Sequence, residues 1–233
     1  MINSWTKKTQ EEINNRVFNA LKENTSFNEY HALGIPASYL DSKVFNQDES
    51  FLALAPFMSA MARNPNHIGC HTLGESESFF KGTQSIEKEL LDICAVDILK
   101  ARKGEYDGYV ASGGTEANIE AIWIYRNYFC SENNAKRDEI AIVCSNDSHY
   151  SMDKAANILA IDVYKIAVDE DTRELSPETV EQVLKQAQTD GKKYFIVVCN
   201  MMTTMFGSID DIDVLTATLN KLSCNFKLHV DGA

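Results

Sequence analysis

The 233 residues carry a formal net charge of −12, with 44% hydrophobic and 24% charged positions. A chain of this length can bury a full core, and its composition is that of an ordinary soluble globular protein. So acidic a chain argues against nucleic acid and anionic membrane as partners, since both need a basic face, while a local basic pocket for one phosphate stays open.

Met1 to Lys8 has no apolar run behind its charges and does not read as a signal peptide. The longest apolar stretches, such as residues 51–57, are far short of a membrane span. The six cysteines (70, 94, 130, 144, 199 and 224) form no Cys-x-x-Cys pair, so reduced thiols in a cytoplasm are the expectation. Cys144 and Cys199 end apolar runs, where Cys acts as a small buried hydrophobe.

In chain order, residues 11–22 place Ile13, Val17, Phe18 and Leu21 at helical spacing. Turn formers cluster from Asn64 through Gly74. Residues 85–100 carry an apolar stripe of Ile86, Leu90, Leu91, Cys94, Ile98 and Leu99, which predicts an amphipathic helix. From Gly108 onward short apolar strands alternate with helices. Strands are expected at 109–111, 140–144, 163–168, 194–199 and 226–230, and helices at 115–129, 150–159, 177–188 and 210–222. Continuous runs such as Ile140-Ala141-Ile142-Val143 and Phe195-Ile196-Val197-Val198 suit strands buried on both faces. Ser176-Pro177 supplies a capped helix start. The pattern predicts an α/β fold with a mostly parallel sheet flanked by helices, residues 104–233, after a helical and loop segment, residues 1–103.

Ligands of such sheets bind outside the carboxyl ends of the strands. Four segments fall there. Ser112-Gly113-Gly114-Thr115-Glu116-Ala117-Asn118 turns from strand to helix; its glycines permit close approach to a ligand, Thr115 can cap the helix, and the helix N-terminus suits a phosphate. It is neither a dinucleotide fingerprint nor a P-loop, and a tight turn that binds nothing is an equal alternative. Asp147-Ser148-His149-Tyr150-Ser151 offers a His for stacking or acid–base work, against the plainer reading of a helix cap with an incidental His. Thr203-Thr204 offers hydroxyls, with Asp210 and Asp211 read as the start of the next helix. His229-Val230-Asp231-Gly232-Ala233 puts a carboxylate where it can pair with a protonated ring nitrogen, beside a residue small enough to admit a flat ring.

Taken together, in this order, these segments resemble the group II pyridoxal-phosphate decarboxylases, which include aromatic amino-acid, histidine, glutamate, aspartate and tyrosine enzymes. The resemblance covers about residues 60–233. It implies an aspartate-aminotransferase-like (fold-type I) architecture, pyridoxal 5′-phosphate as cofactor, and decarboxylation of an L-amino acid. It implies that Gly113, Gly114 and Thr115 hold the cofactor phosphate, that His149 stacks on the ring and serves catalysis, and that Thr204 approaches the phenolic oxygen. Asp231 would pair with the pyridinium nitrogen and Ala233 would pack on the other ring face. Asn66, His67 and Thr72 would contribute to the substrate pocket, often from the neighbouring subunit of a homodimer. His67, Cys70 and His71 also invite a metal reading, weakened by the lack of a fourth ligand.

Two departures stand out. Met202 occupies a position where family members often carry Gly. No lysine here stands where the family's Schiff-base lysine would, since that residue follows the His-x-Asp-x-Ala motif by several tens of residues. The expectation is therefore a fragment, or a chain completed by a second, lysine-bearing polypeptide, whose unfinished sheet aggregates when isolated. A carbon–carbon lyase of the same fold and a non-catalytic product remain alternatives.

Overall fold

The computed structural model describes residues 6–24, 74 and 80–233. Asn66, His67, Cys70, His71 and Thr72 lie outside them. The chain divides into two compact units, Met1–Val110 and Ala111–Ala233.

In the first unit, helix α1 (Gln10–Glu23) starts at a capping box in which Thr9 and Glu12 satisfy each other's backbone amides. Helix α2 (Lys81–Asp92) has no cap of its own, and Asn24 Oδ1 accepts from the amides of Gly82 (2.9 Å) and Thr83 (3.2 Å) instead. Arg16 reaches Ser85 (3.1 Å) and Glu89 (3.3 Å), tying α1 to α2. The periodic stretch at 85–100 is thus helical, but it begins earlier than its apolar stripe and widens into a π-helical turn over Ile93–Ile98, closed by Leu99 N–H to Cys94 O. Leu90, Ile98 and Leu99 are exposed.

The second unit holds helix α3 (Gly114–Glu132), strand β1 (Ile140–Ser145), helix α4 (Ser151–Leu159), strand β2 (Asp162–Ile166), helix α5 (Pro177–Thr189), strand β3 (Tyr194–Asn200), helix α6 (Ile212–Lys221) and strand β4 (Asn225–Asp231). All strand pairs are parallel, in the order β2-β1-β3-β4. The expected α/β sheet is present.

Side chains alternate across the two central strands, so each face of the sheet collects its own core. Ile140, Ile142, Cys144, Ile196 and Val198 pack with Ile122 and Phe129 of α3 and Met152 and Leu159 of α4. Ala141, Val143, Phe195, Val197 and Cys199 pack with Val180 and Leu184 of α5 and Leu215 and Leu219 of α6. Burial of both faces accounts for the unbroken apolar runs. It also pushes the Cys199 thiol up to about 11. Ser176 caps α5 as its sequence predicts, accepting from Thr179 N–H at 3.1 Å with Pro177 in the first turn. Such a cap contributes about 1 kcal/mol.

Two expectations are corrected. Residues 109–111 form no strand: Val110 N–H donates to the Glu87 carboxylate (2.7 Å), which takes the place of a sheet neighbour. Asp210 does not begin a helix. Asp211 caps α6, while Asp210 turns inward and its carboxylate accepts from the backbone and side-chain amides of Asn200 (2.8 and 2.6 Å). Burial raises the Asp210 carboxyl above its usual range, against the smaller opposing effect of those bonds.

Candidate active site

The carboxyl ends of β1, β3 and β4 and the amino end of α3 converge on one cavity of about 230 Å3. Gly114, Thr115, Asn118, His149, Asn200, Met202, Thr203, Thr204, Asp231 and Ala233 line it. Six residues singled out from sequence, Gly114, Thr115, His149, Thr204, Asp231 and Ala233, thus share one space. Gly113 directly precedes them but is not in the lining.

Helix α3 opens without a side-chain cap: Gly113 occupies the cap position, and Thr115 lies within the first turn instead of capping it. Glu116 folds back onto Ser112, accepting from its amide (2.9 Å) and its hydroxyl. The amides of Gly114 and Thr115 therefore have no protein acceptor among the described residues, at the positive end of a 19-residue helix. Gly114 is required by packing: a Cβ there would stand 2.5 Å from the Cβ of Ala233.

Asp231 ends β4, and its backbone carbonyl accepts from Met201 N–H at 2.7 Å. Its Oδ2 accepts from Asn118 Nδ2 (2.9 Å) and its Oδ1 from the amide of Ala233 (3.2 Å). No lysine or arginine pairs with it among the described residues. The result is a carboxylate held in place with room for a cation.

His149 lies on the turn between β1 and α4, its ring 4.0 Å from that of Tyr150 between centroids, and its Nδ1 is 2.9 Å from Ser151 Oγ. Beside it, Asp147 is no helix cap but the partner of Arg173, whose guanidinium stands 4.0 Å over the ring of Phe206. In the loop after β3, Thr203 exchanges hydrogen bonds with Ser208 and accepts from Gly207 N–H (2.8 Å), which closes the loop. Thr204 is left facing the same cavity with its hydroxyl unpartnered among the described residues.

Met202 has φ +72°, in the left-handed region. The turn needs the conformation that Gly adopts freely, which agrees with the glycine that the sequence resemblance leads one to expect there. Met202→Gly is expected to stabilise the protein by about 1 kcal/mol, since the Met side chain is mostly exposed and little burial is lost. Urea denaturation checks this, and an unchanged or lowered midpoint counts against it.

Sequence reasoning gave Asn118 no role of its own and passed over Asn200. Asn200 Nδ2 lies 2.6–3.1 Å from Asp210 Oδ2, Ser145 Oγ and Ser148 Oγ, joining the ends of β1 and β3 beneath the cavity. Nothing local marks it, because all its partners but one come from another strand end.

Residues 84–233 match the pyridoxal-dependent decarboxylase conserved domain. The chain belongs to the pyridoxal-dependent decarboxylase family. It is similar to the tryptophan decarboxylase of Clostridium sporogenes, 45% identical over 229 residues, which is 98% of this chain and 55% of that one. It is also similar to serine decarboxylase 2 of Oryza sativa subsp. japonica, at 28% identity over 88% of this chain and 38% of that one. Among solved structures, an L-methionine decarboxylase from Streptomyces sp.590 superimposes with a TM-score of 0.61, at 18% identity over 96% of this chain and 53% of that one, which supports the fold. The chain spans about half the length of the curated tryptophan decarboxylase that it matches. The family's cofactor is pyridoxal 5′-phosphate, and the residues present suit it: uncapped helix amides for a phosphate, a carboxylate with no basic partner among the described residues for a ring nitrogen, and a small residue, Ala233, in the same lining. No described helix is long and apolar enough to cross a membrane.

Proposed function

We propose that the protein converts an aromatic L-amino acid, tryptophan in the first place, to its amine and carbon dioxide with pyridoxal 5′-phosphate. The observation that carries the reading is the Asp231 carboxylate, held in a cavity without a cationic partner among the described residues and within the same lining as two uncapped helix amides. The 45% identity to a tryptophan decarboxylase supports the substrate.

The amides of Gly114 and Thr115 bind the phosphate, with the Thr115 hydroxyl adding a donor and Gly113 setting the backbone that leads into them. Asp231 keeps the ring nitrogen protonated. Thr204 donates to the phenolic oxygen, and His149 and Ala233 flank the ring. When bound, pyridoxal 5′-phosphate would supply an electron sink for the pair left behind as carbon dioxide departs, and Asp231 would keep that sink protonated. His149 is the catalytic residue: it would orient the substrate carboxylate and hold a proton for delivery to the carbon from which carbon dioxide departs. Asn66, His67 and Thr72 complete the substrate pocket, supplied by the second subunit of a cytoplasmic homodimer. The chain spans 55% of the tryptophan decarboxylase it matches, which supports a Schiff-base lysine on a further segment, of the same polypeptide or a complementary one.

The test is amine release by the full-length protein supplied with pyridoxal 5′-phosphate and, separately, tryptophan, tyrosine, phenylalanine, histidine, serine and glutamate. Tryptamine is the expected main product. Amine from serine or glutamate alone would overturn the aromatic assignment, and no amine from any of them would overturn the activity.

A further inference from the structure

Asn118 sits on α3 facing the cavity, 3% exposed, and every polar hydrogen on its side chain has a partner. Its Nδ2 donates to Asp231 Oδ2 (2.9 Å) and to Ser151 Oγ (3.0 Å). Its Oδ1 lies 2.7 Å from His229 Nε2. A carboxylate can only accept, so the amide group must face Asp231, and Oδ1 must then accept from His229 Nε2–H. His229 fits that role as a neutral ring: burial holds its imidazole below its usual pKa, against a smaller opposite pull from Asp231.

The same logic continues past Ser151. Its hydroxyl oxygen accepts from Asn118, so its O–H is free to donate, and His149 Nδ1 is 2.9 Å away. The backbone amide of Ser151 also points at Nδ1, at 3.3 Å. An N–H aimed at a ring nitrogen requires a lone pair there, so in the neutral ring the proton of His149 resides on Nε2.

We propose that Asn118 is a positioning residue that orients two functional groups at once: it fixes the Asp231 carboxylate directly, and through Ser151 it holds His149 in the Nε2–H tautomer. This rests on the cofactor reading, and it adds how the two ends of the site are kept in register. Asp231 is placed to accept from the ring nitrogen, while His149 presents a donor to the substrate carboxylate. A junction of buried hydrogen bonds couples such groups more tightly than separate contacts do.

Two substitutions in the full-length protein separate the two arms. Asn118→Leu keeps the branching and the number of side-chain heavy atoms and removes both. Ser151→Ala removes only the hydroxyl link to His149. The readouts are affinity for pyridoxal 5′-phosphate, followed by absorbance, and the nitrogen NMR shifts of His149 in protein free of cofactor. The wild type is expected to show Nδ1 unprotonated and Nε2 protonated. N118L is expected to lose about tenfold in cofactor affinity, the size of one hydrogen bond to a charged group, and to show mixed tautomers. S151A, which keeps the weaker backbone N–H donor to Nδ1, is expected to show a raised share of the Nδ1–H tautomer with wild-type affinity, a split that general loosening of the fold would not produce. Wild-type affinity in N118L, or wild-type His149 shifts in both variants, would overturn the proposal while leaving the cofactor reading intact. A wild-type protein that takes up no pyridoxal 5′-phosphate would overturn the cofactor reading and the proposal with it.

Discussion

Asp231→Asn is expected to lower affinity for pyridoxal 5′-phosphate by about ten- to a hundredfold, the range of a hydrogen bond to a charged partner, and to lower amine formation further. The larger effect on turnover follows because the lost negative charge no longer keeps the ring nitrogen protonated when electrons must be accepted. Asparagine retains an acceptor oxygen for Asn118 or for the Ala233 amide, so the fold should change little. Titration with cofactor, together with single-turnover amine formation, checks both parts. A D231N protein that binds cofactor like the wild type would remove Asp231 from the site's chemistry and with it the observation on which the functional reading stands.

Gly114→Ala should act through shape. The added methyl would lie 2.5 Å from the Ala233 Cβ, closer than two carbon atoms can stand, so either α3 or the segment after β4 must move. Overpacking of this kind costs about 1–3 kcal/mol, and the shift falls on the two elements that carry the uncapped amides and Asp231. The expected result is a lowered melting temperature and loss of cofactor uptake. Gly113→Ala is the contrast: a Cβ there meets nothing within 4 Å, and its φ of 173° is extended backbone open to any residue, so stability should stay within about 0.5 kcal/mol. Combining Gly114→Ala with Ala233→Gly removes the collision and should restore most of the stability. If the double variant melts no higher than G114A alone, the contact is not what glycine serves at this position.

The sheet was readable because its central strands are buried on both faces, and a continuous apolar run of five or six residues, as at 140–144 and 194–199, suits few elements besides a central strand. Residues 109–111 look the same over a shorter span, yet their backbone is claimed by the Glu87 carboxylate, a partner that local pattern does not reveal. The site was legible where a residue type has few alternative uses, as with a Gly-Gly-Thr helix start or an aspartate at a strand's end. Asn118, Asn200 and the inward turn of Asp210 were not, since an Asn or Asp in a helix or beside a turn looks like any solvated side chain until its distant partners are known. Met202 lies between these cases: its oddness was visible in the sequence, and its cause, a left-handed backbone, only in the structure.

The Asn118–Asp231 bond joins residues 113 apart in sequence, and Tyr125 Oη to Leu228 O joins residues 103 apart, both reaching from α3 to β4. Among the described strands β4 lies at the edge and pairs only with β3. Contacts of such span close late, because the chain must lose the entropy of the long intervening loop before either end gains a partner. The cavity is therefore expected to form when β4 docks onto a β1–β3 core already collapsed around Phe129 and Phe195. Cofactor uptake during refolding becomes a clock for that final step. It should lag the burial of the central strands in a stopped-flow trace, and uptake as fast as core burial would mean that the site assembles without waiting for β4.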